Sequence, residues 1–167
     1  FKQLSDINIK LIFFNLYIYY ISIFSMNMKK KIHDEQKELI EEFSFFDNWQ
    51  DKYEHIIDMG KKMQMLSDKF HKDEYKVEGC VSEVFLVPNK NNNILNFQAD
   101  SNSVITRGLI AMLLRMYSDR KPEDILNNPP EFIDKVGLGV HLTPSRTNGL
   151  HSMVKKIMEY AKQYSSN

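Results

Sequence analysis

The chain has 167 residues, 43% of them hydrophobic and 26% charged, which suits one domain with a single core and excludes an intrinsically disordered chain. Twenty-two basic residues balance twenty-two acidic ones, so no global field selects nucleic acid or an anionic membrane, and neither is expected as a partner. A single cysteine, Cys80, excludes an intramolecular disulfide, a zinc site with three or four cysteine ligands, and a cysteine-ligated iron–sulfur cluster built by one chain; a reducing compartment is the natural setting.

Residues 1–25 differ from the rest. FKQLSDINIKLIFFNLYIYYISIFS is apolar on all sides from Leu11 onward. It is shorter than the roughly 20 apolar residues that cross a bilayer, and no small-residue cleavage site follows it. The reading preferred here is upstream sequence translated through a misplaced start, with a targeting leader or a membrane anchor as alternatives. Residues 26–167 are expected to form the single folded domain.

Within it, Lys30 to Phe43 reads as a helix, with Ile32, Gln36, Leu39, Ile40 and Phe43 on one face. Asp47 is the expected N-cap of a second helix over Trp49–Met63. The polar stretch SDKFHKDEY predicts irregular chain or a short helical turn. Val84 to Val87 and ILNFQAD then switch to strand patterning around NKNNN, which predicts a hairpin. Helix returns at Ser103; Val104, Ile105, Leu109, Ile110, Met112, Leu113, Leu114 and Met116 make an apolar arc broad enough for the most buried helix. Two short helices follow, PEDIL opened by Pro122 and PPEFIDKVGL closed by Gly137. GVHLTPSRTNG reads as a loop, with Ser145 or Thr147 capping a last helix over Leu150–Tyr160. Helices, a hairpin and more helices predict an α+β fold, a small antiparallel sheet covered by helices.

Cys80 lies in KVEGCVSEVFL. A lone cysteine is most often a small core residue. Here Gly79 permits a tight backbone before the thiol, and the position falls between polar loop and strand, where a reactive thiol finds access. Among the histidines, His33, His55 and His71 read as solvated surface residues. His141 is a formal candidate base for Cys80, but no third orienting group or oxyanion loop accompanies it. Asn148 and Gly149 read as left-handed loop residues, and Arg146 carries a rigid fork of donors.

Four segments together, DNWQDKYEHIIDMGKKM, VEGCVSEVFL, FQADSNSVITRGLIAMLL and GLGVHLTPSRTNGLHSM, resemble in order and spacing the SufE family of sulfur-acceptor proteins. The resemblance covers roughly residues 32–163. It implies an α+β fold related to that of the IscU scaffold. It also implies a protein that accepts persulfide sulfur from a PLP-dependent, SufS-type cysteine desulfurase, stimulates that enzyme, and passes sulfur to a SufBCD-type scaffold, itself needing no cofactor or metal. Cys80 matches the acceptor, with Gly79 and Ser82 in its loop. Asp100, Arg107, His141 and Arg146 become candidates for docking or loop support. Without its leader such a protein is cytoplasmic, of bacterial type; with a genuine leader it is organellar. Monomer and homodimer both stay open.

The chain departs from the family pattern after the cysteine, with Val81 for a glutamine, Glu83 for glutamine or arginine and Phe85 for tryptophan. An anion at Glu83 is expected to raise the thiol pKa. A second reading therefore stands beside the carrier: a partner-binding regulator of a desulfurase with a chemically silent cysteine. A cysteine hydrolase is a distant third.

Overall fold

The computed structural model describes residues 30–165; the apolar leader assigned to residues 1–25 lies outside them. The elements run α1 (Ile32–Ser44), α2 (Trp49–Lys61), two 3-10 turns (Asp68–Phe70 and Asp73–Tyr75), β1 (Val84–Asn91), β2 (Ile94–Ser101), α3 (Val104–Tyr117), α4 (Pro122–Leu126), α5 (Phe132–Val136), α6 (Leu138–His141) and α7 (Pro144–Ser165). The class is α+β, as the pattern predicts.

The core forms around α3. Its Leu109, Met112, Leu113 and Met116 are fully buried, together with Leu39, Phe43, Ile56, Leu95 and Phe132 from other elements. Burying such side chains contributes about 1.5–3 kcal/mol each, before the cost of ordering the chain. Val104, placed in the buried arc by periodicity, is 60% exposed, because it is the first residue of the helix and lies beyond its packed part. Helices α2 and α3 cross closely. A side chain on Gly108 would run into the backbone carbonyl of Ile56, and one on Gly60 would meet the backbone at Gly108.

Polar ties set the helices around this core. The buried Gln36 of α1 donates from Nε2 to the Pro129 carbonyl at 3.0 Å and accepts from the Phe132 amide at 3.0 Å. Arg115 of α3 reaches Glu35 at 3.0 Å and Glu42 at 2.6 Å, both on α1. Glu42 also pairs with His55 of α2. His55 is half-buried and packs edge-on against Phe43, so it is not the solvated residue that its polar surroundings in sequence suggest.

The hairpin is antiparallel, with Val84 opposite Ser101 and Asn91 opposite Ile94. Its turn is only Asn92-Asn93, with Asn92 at φ 54°, a conformation that asparagine tolerates. The polar NKN thus belongs to the strand. Leu95, Phe97 and Ala99 face the core. Tyr160 of α7 donates from its hydroxyl to the Leu86 carbonyl of β1 at 3.3 Å, fastening the last helix to the sheet.

Two boundaries move. Asn48, not Asp47, caps α2, accepting from the Asp51 amide at 2.9 Å. Helix α7 begins at Pro144, not Leu150, so the expected loop GVHLTPSRTNG is the short α6, two connecting residues and the first turns of α7. Pro144 suits a first helical position because its missing N–H has no partner there anyway, and the Thr147 amide closes the first turn onto the Thr143 carbonyl at 3.0 Å.

Candidate functional site

Cys80 sits in a loop that leaves and rejoins the sheet. Lys76 bridges to Phe85, and the Val77 amide donates to the Val84 carbonyl at 2.9 Å. Between these anchors the chain turns sharply at Gly79, φ 85°, a left-handed backbone that favours glycine. A Cβ there would also lie 2.7 Å from the Ser152 hydroxyl of α7. The far leg of the loop is latched twice. Ser82 Oγ and Thr106 Oγ1 of α3 are 3.0 Å apart, and the Glu83 amide donates to Asn102 Oδ1 at 3.1 Å.

This geometry turns the thiol inward. Cys80 is half-buried, and its Sγ lies 3.5 Å from the Gly149 carbonyl oxygen of α7. Gly149 is buried and helical, not left-handed as its loop reading suggests. It packs against the cysteine loop: a Cβ there would come 3.4 Å from Sγ, in van der Waals contact. Beside the sulfur is a small cavity of about 30 Å³. Leu109 and Met153 give it apolar walls, and Ser82, Thr106, Ser145 and Arg146 line it with polar atoms. Roughly 10–15 Å³ suffices for one water-sized guest, so the cavity admits an atom or two and no organic substrate.

Burial pushes the Cys80 thiol above its ordinary pKa. The direction is the one expected from Glu83, but the cause is different. Desolvation accounts for it, and the exposed Glu83 carboxylate points toward Lys76 at 3.9 Å. A buried thiol facing a carbonyl oxygen stays protonated, because the carbonyl accepts its proton and would repel a thiolate.

The other candidate residues divide. Arg146 lines the thiol cavity and donates from Nη1 to the Tyr53 hydroxyl of α2 at 3.3 Å. Asp100 and Arg107 pair with each other; Asp100 also accepts from the Ser101 amide at 2.7 Å and the Leu66 amide at 3.3 Å, and Arg107 donates to the Met63 carbonyl at 3.3 Å. They steady the 63–66 segment after α2 and line a neighbouring cleft with Met65, Phe85 and Glu83. His141 is stacked on Trp49, ring centroids 4.0 Å apart, and is absent from the cavity walls, so the pairing with Cys80 that a hydrolase needs is not formed. Asn102, Ser152, Met153 and the Gly149 carbonyl were not singled out from sequence. Asn102 was visible only as part of the ADSNS element; a carbonyl acceptor leaves no mark in a sequence.

Among the described residues, no cluster of three or more His, Cys, Asp or Glu could hold a metal ion. No described helix is long and apolar enough to cross a membrane.

Known proteins share this pattern. Residues 37–161 match the family model SufE, described as an Fe-S metabolism associated domain. An uncharacterized SufE-like protein of Rhizobium etli is 39% identical over 130 residues, 75% of this chain and 88% of that protein. One from Rhizobium meliloti is 33% identical over 130 residues, 75% of this chain and 93% of that protein. A solution structure of a hypothetical protein from Thermus thermophilus superimposes with a TM-score of 0.67 at 16% identity, covering 80% of this chain and 97% of that one; it shares the fold.

Proposed function

Because the chain belongs to the SufE family, and so to iron–sulfur metabolism, we propose that Cys80 is a sulfur acceptor. It takes sulfane sulfur from a PLP-dependent, SufS-type cysteine desulfurase, holds it as a persulfide, and delivers it to a SufBCD-type scaffold. Clearing the donor's persulfide stimulates that enzyme. The protein is a carrier in a reducing cytoplasm, not itself an enzyme.

The observation that carries this reading is the half-buried Sγ beside a cavity sized for an atom or two. In the transfer, Cys80 loses its proton to solvent or to a base on the donor. The thiolate attacks the terminal sulfur of the donor persulfide. A new S–S bond forms on Cys80, the donor's S–S bond breaks, and its cysteine leaves as a thiolate, with no net oxidation. The resting thiol is poorly placed to ionise, so the loop must carry it toward wetter surroundings before attack. Gly79 supplies the pivot, and the Ser82 and Glu83 bonds are the ones to release.

The buried, protonated thiol equally favours a regulator whose cysteine is silent. Mass spectrometry after mixing the protein with a SufS-type desulfurase and cysteine separates the two. The carrier gains one reductant-labile sulfur on the Cys80 peptide, and Cys80→Ser abolishes stimulation. If Cys80→Ser stimulates as the wild type does and no sulfur is gained, the carrier reading is wrong.

A further inference from the structure

We propose that the cysteine cavity reads the length of the sulfur chain on Cys80: it shelters one sulfane sulfur and leaves the end of any longer chain outside, where thiols trim it back to one. The inference deepens the carrier reading above and rests on it. Size is the first argument. The space beside Sγ is about 30 Å³, and its Leu109, Met153 and Thr106 walls are buried in a packed interior that yields little. One water-sized guest needs roughly 10–15 Å³, and a sulfur atom is larger than a water oxygen. The first added sulfur, about 2.05 Å from Sγ, takes most of the space; a second has to leave it.

Charge is the second argument. In a sulfur chain the terminal atom carries the charge. On the bare thiolate that atom is Sγ, which lies 3.5 Å from the Gly149 carbonyl oxygen and is disfavoured there. On a persulfide the charge moves one bond further, to an atom among donors. Ser82 and Thr106 bring two hydroxyls and share one hydrogen bond, and Arg146 gives Nη1 to Tyr53 while carrying further N–H groups. All three residues line the cavity. On a longer chain a neutral sulfur sits among these donors and the charge lies beyond them. The site therefore matches the one-sulfur anion better than the bare thiolate or a longer chain. A chain that fits lets the Ser82 and Glu83 bonds close the loop over it; a longer one props the loop open. Trimming is then an exchange. A free thiolate attacks the terminal sulfur of Sγ–S–S⁻, the outer S–S bond breaks, an S–S bond forms on the attacking thiol, and Cys80 keeps Sγ–S⁻, with no net oxidation.

The test uses the full chain, loaded by a SufS-type desulfurase with cysteine or by excess sodium tetrasulfide. With tetrasulfide, the Cys80 thiolate attacks a sulfur of the chain; an S–S bond forms on Sγ, one in the tetrasulfide breaks, and the remainder leaves as a shorter anion. Cys80 is the only cysteine, so each added sulfur in the intact mass reports on it. After removal of the donor, dilute glutathione is added. Species with two or more added sulfurs are expected to fall to the one-sulfur species, which outlives them by at least about tenfold, as a loop closed by a few weak bonds allows. In urea, which removes the cavity, the ratio falls toward one. Met153→Ala, which removes part of the wall, lets the two-sulfur species persist; thermal unfolding checks its fold. Two-sulfur species that last as long as the one-sulfur species in the wild type overturn the inference. So does a tenfold ratio that survives urea, since it then belongs to the sulfur chain's own chemistry, and so does a folded Met153→Ala that decays as the wild type does. With loading by the desulfurase intact, each of these results leaves the carrier reading standing. If the desulfurase places no sulfur on Cys80, the carrier reading falls and this inference with it.

Discussion

Gly149→Ala separates the stability of this protein from its capacity to hold sulfur. Gly149 lies inside helix α7 and is buried against the cysteine loop. An added Cβ would sit 3.4 Å from Cys80 Sγ and 3.9 Å from its Cα and Cβ, which is ordinary contact. The resting fold accepts the methyl and gains the helix preference of alanine over glycine, about 1 kcal/mol. For a domain of this size that raises Tm by about 3–5 °C. The loaded state fares differently. A persulfide places its second sulfur about 2.05 Å beyond Sγ, and the space available for it is about 30 Å³ bounded by Gly149 itself. Overfilling a packed site costs about 1–3 kcal/mol, which shifts the loaded loop toward its open form by about fivefold to 150-fold. The assays are thermal unfolding of the resting protein and mass-spectrometric decay of the Cys80 persulfide under dilute glutathione. The expected result is higher Tm with faster loss of sulfur. A Gly149→Ala protein that keeps its sulfur as long as the wild type would show that the cavity is not where the sulfur rests.

Asn102→Ala removes the acceptor for the Glu83 amide. One net hydrogen bond of about 0.5–1.5 kcal/mol is lost, so amide exchange at Glu83 and alkylation of Cys80 by iodoacetamide accelerate up to about tenfold; unchanged rates would mean that the latch does not limit opening. Acid stability tests the α1–α2–α3 network. Burial raises the Glu42 carboxyl pKa, but hydrogen bonds from Arg115 and His55 outweigh it and hold the group below its usual range. Its contribution is therefore present above the unfolded carboxylate pKa of about 4.3 and is lost as pH falls through the folded value. In urea unfolding the wild type exceeds Glu42→Gln at pH 6, and the gap narrows toward pH 3; a gap independent of pH would refute the assignment.

Much of the fold was legible because hydrophobic spacing dictates it. The faces of α1, α3 and α7, the alternation Leu95–Phe97–Ala99 and the closing Gly137 all follow from periods of 3.6 or 2 and from backbone preference. What escaped were features set by neighbours distant in sequence. Asn148 and Gly149 have turn-like chemistry, yet they are helical, because the helix starts earlier, at Pro144, and packs against the cysteine loop. His55 is polar in a polar stretch, yet Phe43 and Glu42 enclose it. At the site, the family-patterned segments brought forward Cys80, Gly79, Ser82 and Arg146, which the structure gathers around one loop and one cavity. The same pattern gave no way to see that Asp100 and Arg107 pair with each other and reach the 63–66 segment.

These placements bear on how a protected thiol becomes a usable one. Three contacts hold the loop shut: Cys80 to Gly149, Ser82 to Thr106 and the Glu83 amide to Asn102. At about 0.5–1.5 kcal/mol net for each, with the thiol at the weak end, opening costs about 1.5–3.5 kcal/mol. A much firmer latch would keep the thiol neutral even on a docked donor. A much looser one would leave a persulfide open to every thiol in a reducing compartment. On the carrier reading, the strength of these contacts sets how often the thiol is presented and how long a bound sulfur is kept. On the same reading, Asn102→Ala should therefore load sulfur from a desulfurase faster than the wild type and lose its persulfide faster to dilute glutathione, each by up to about tenfold; equal rates would show that the latch does not gate the thiol.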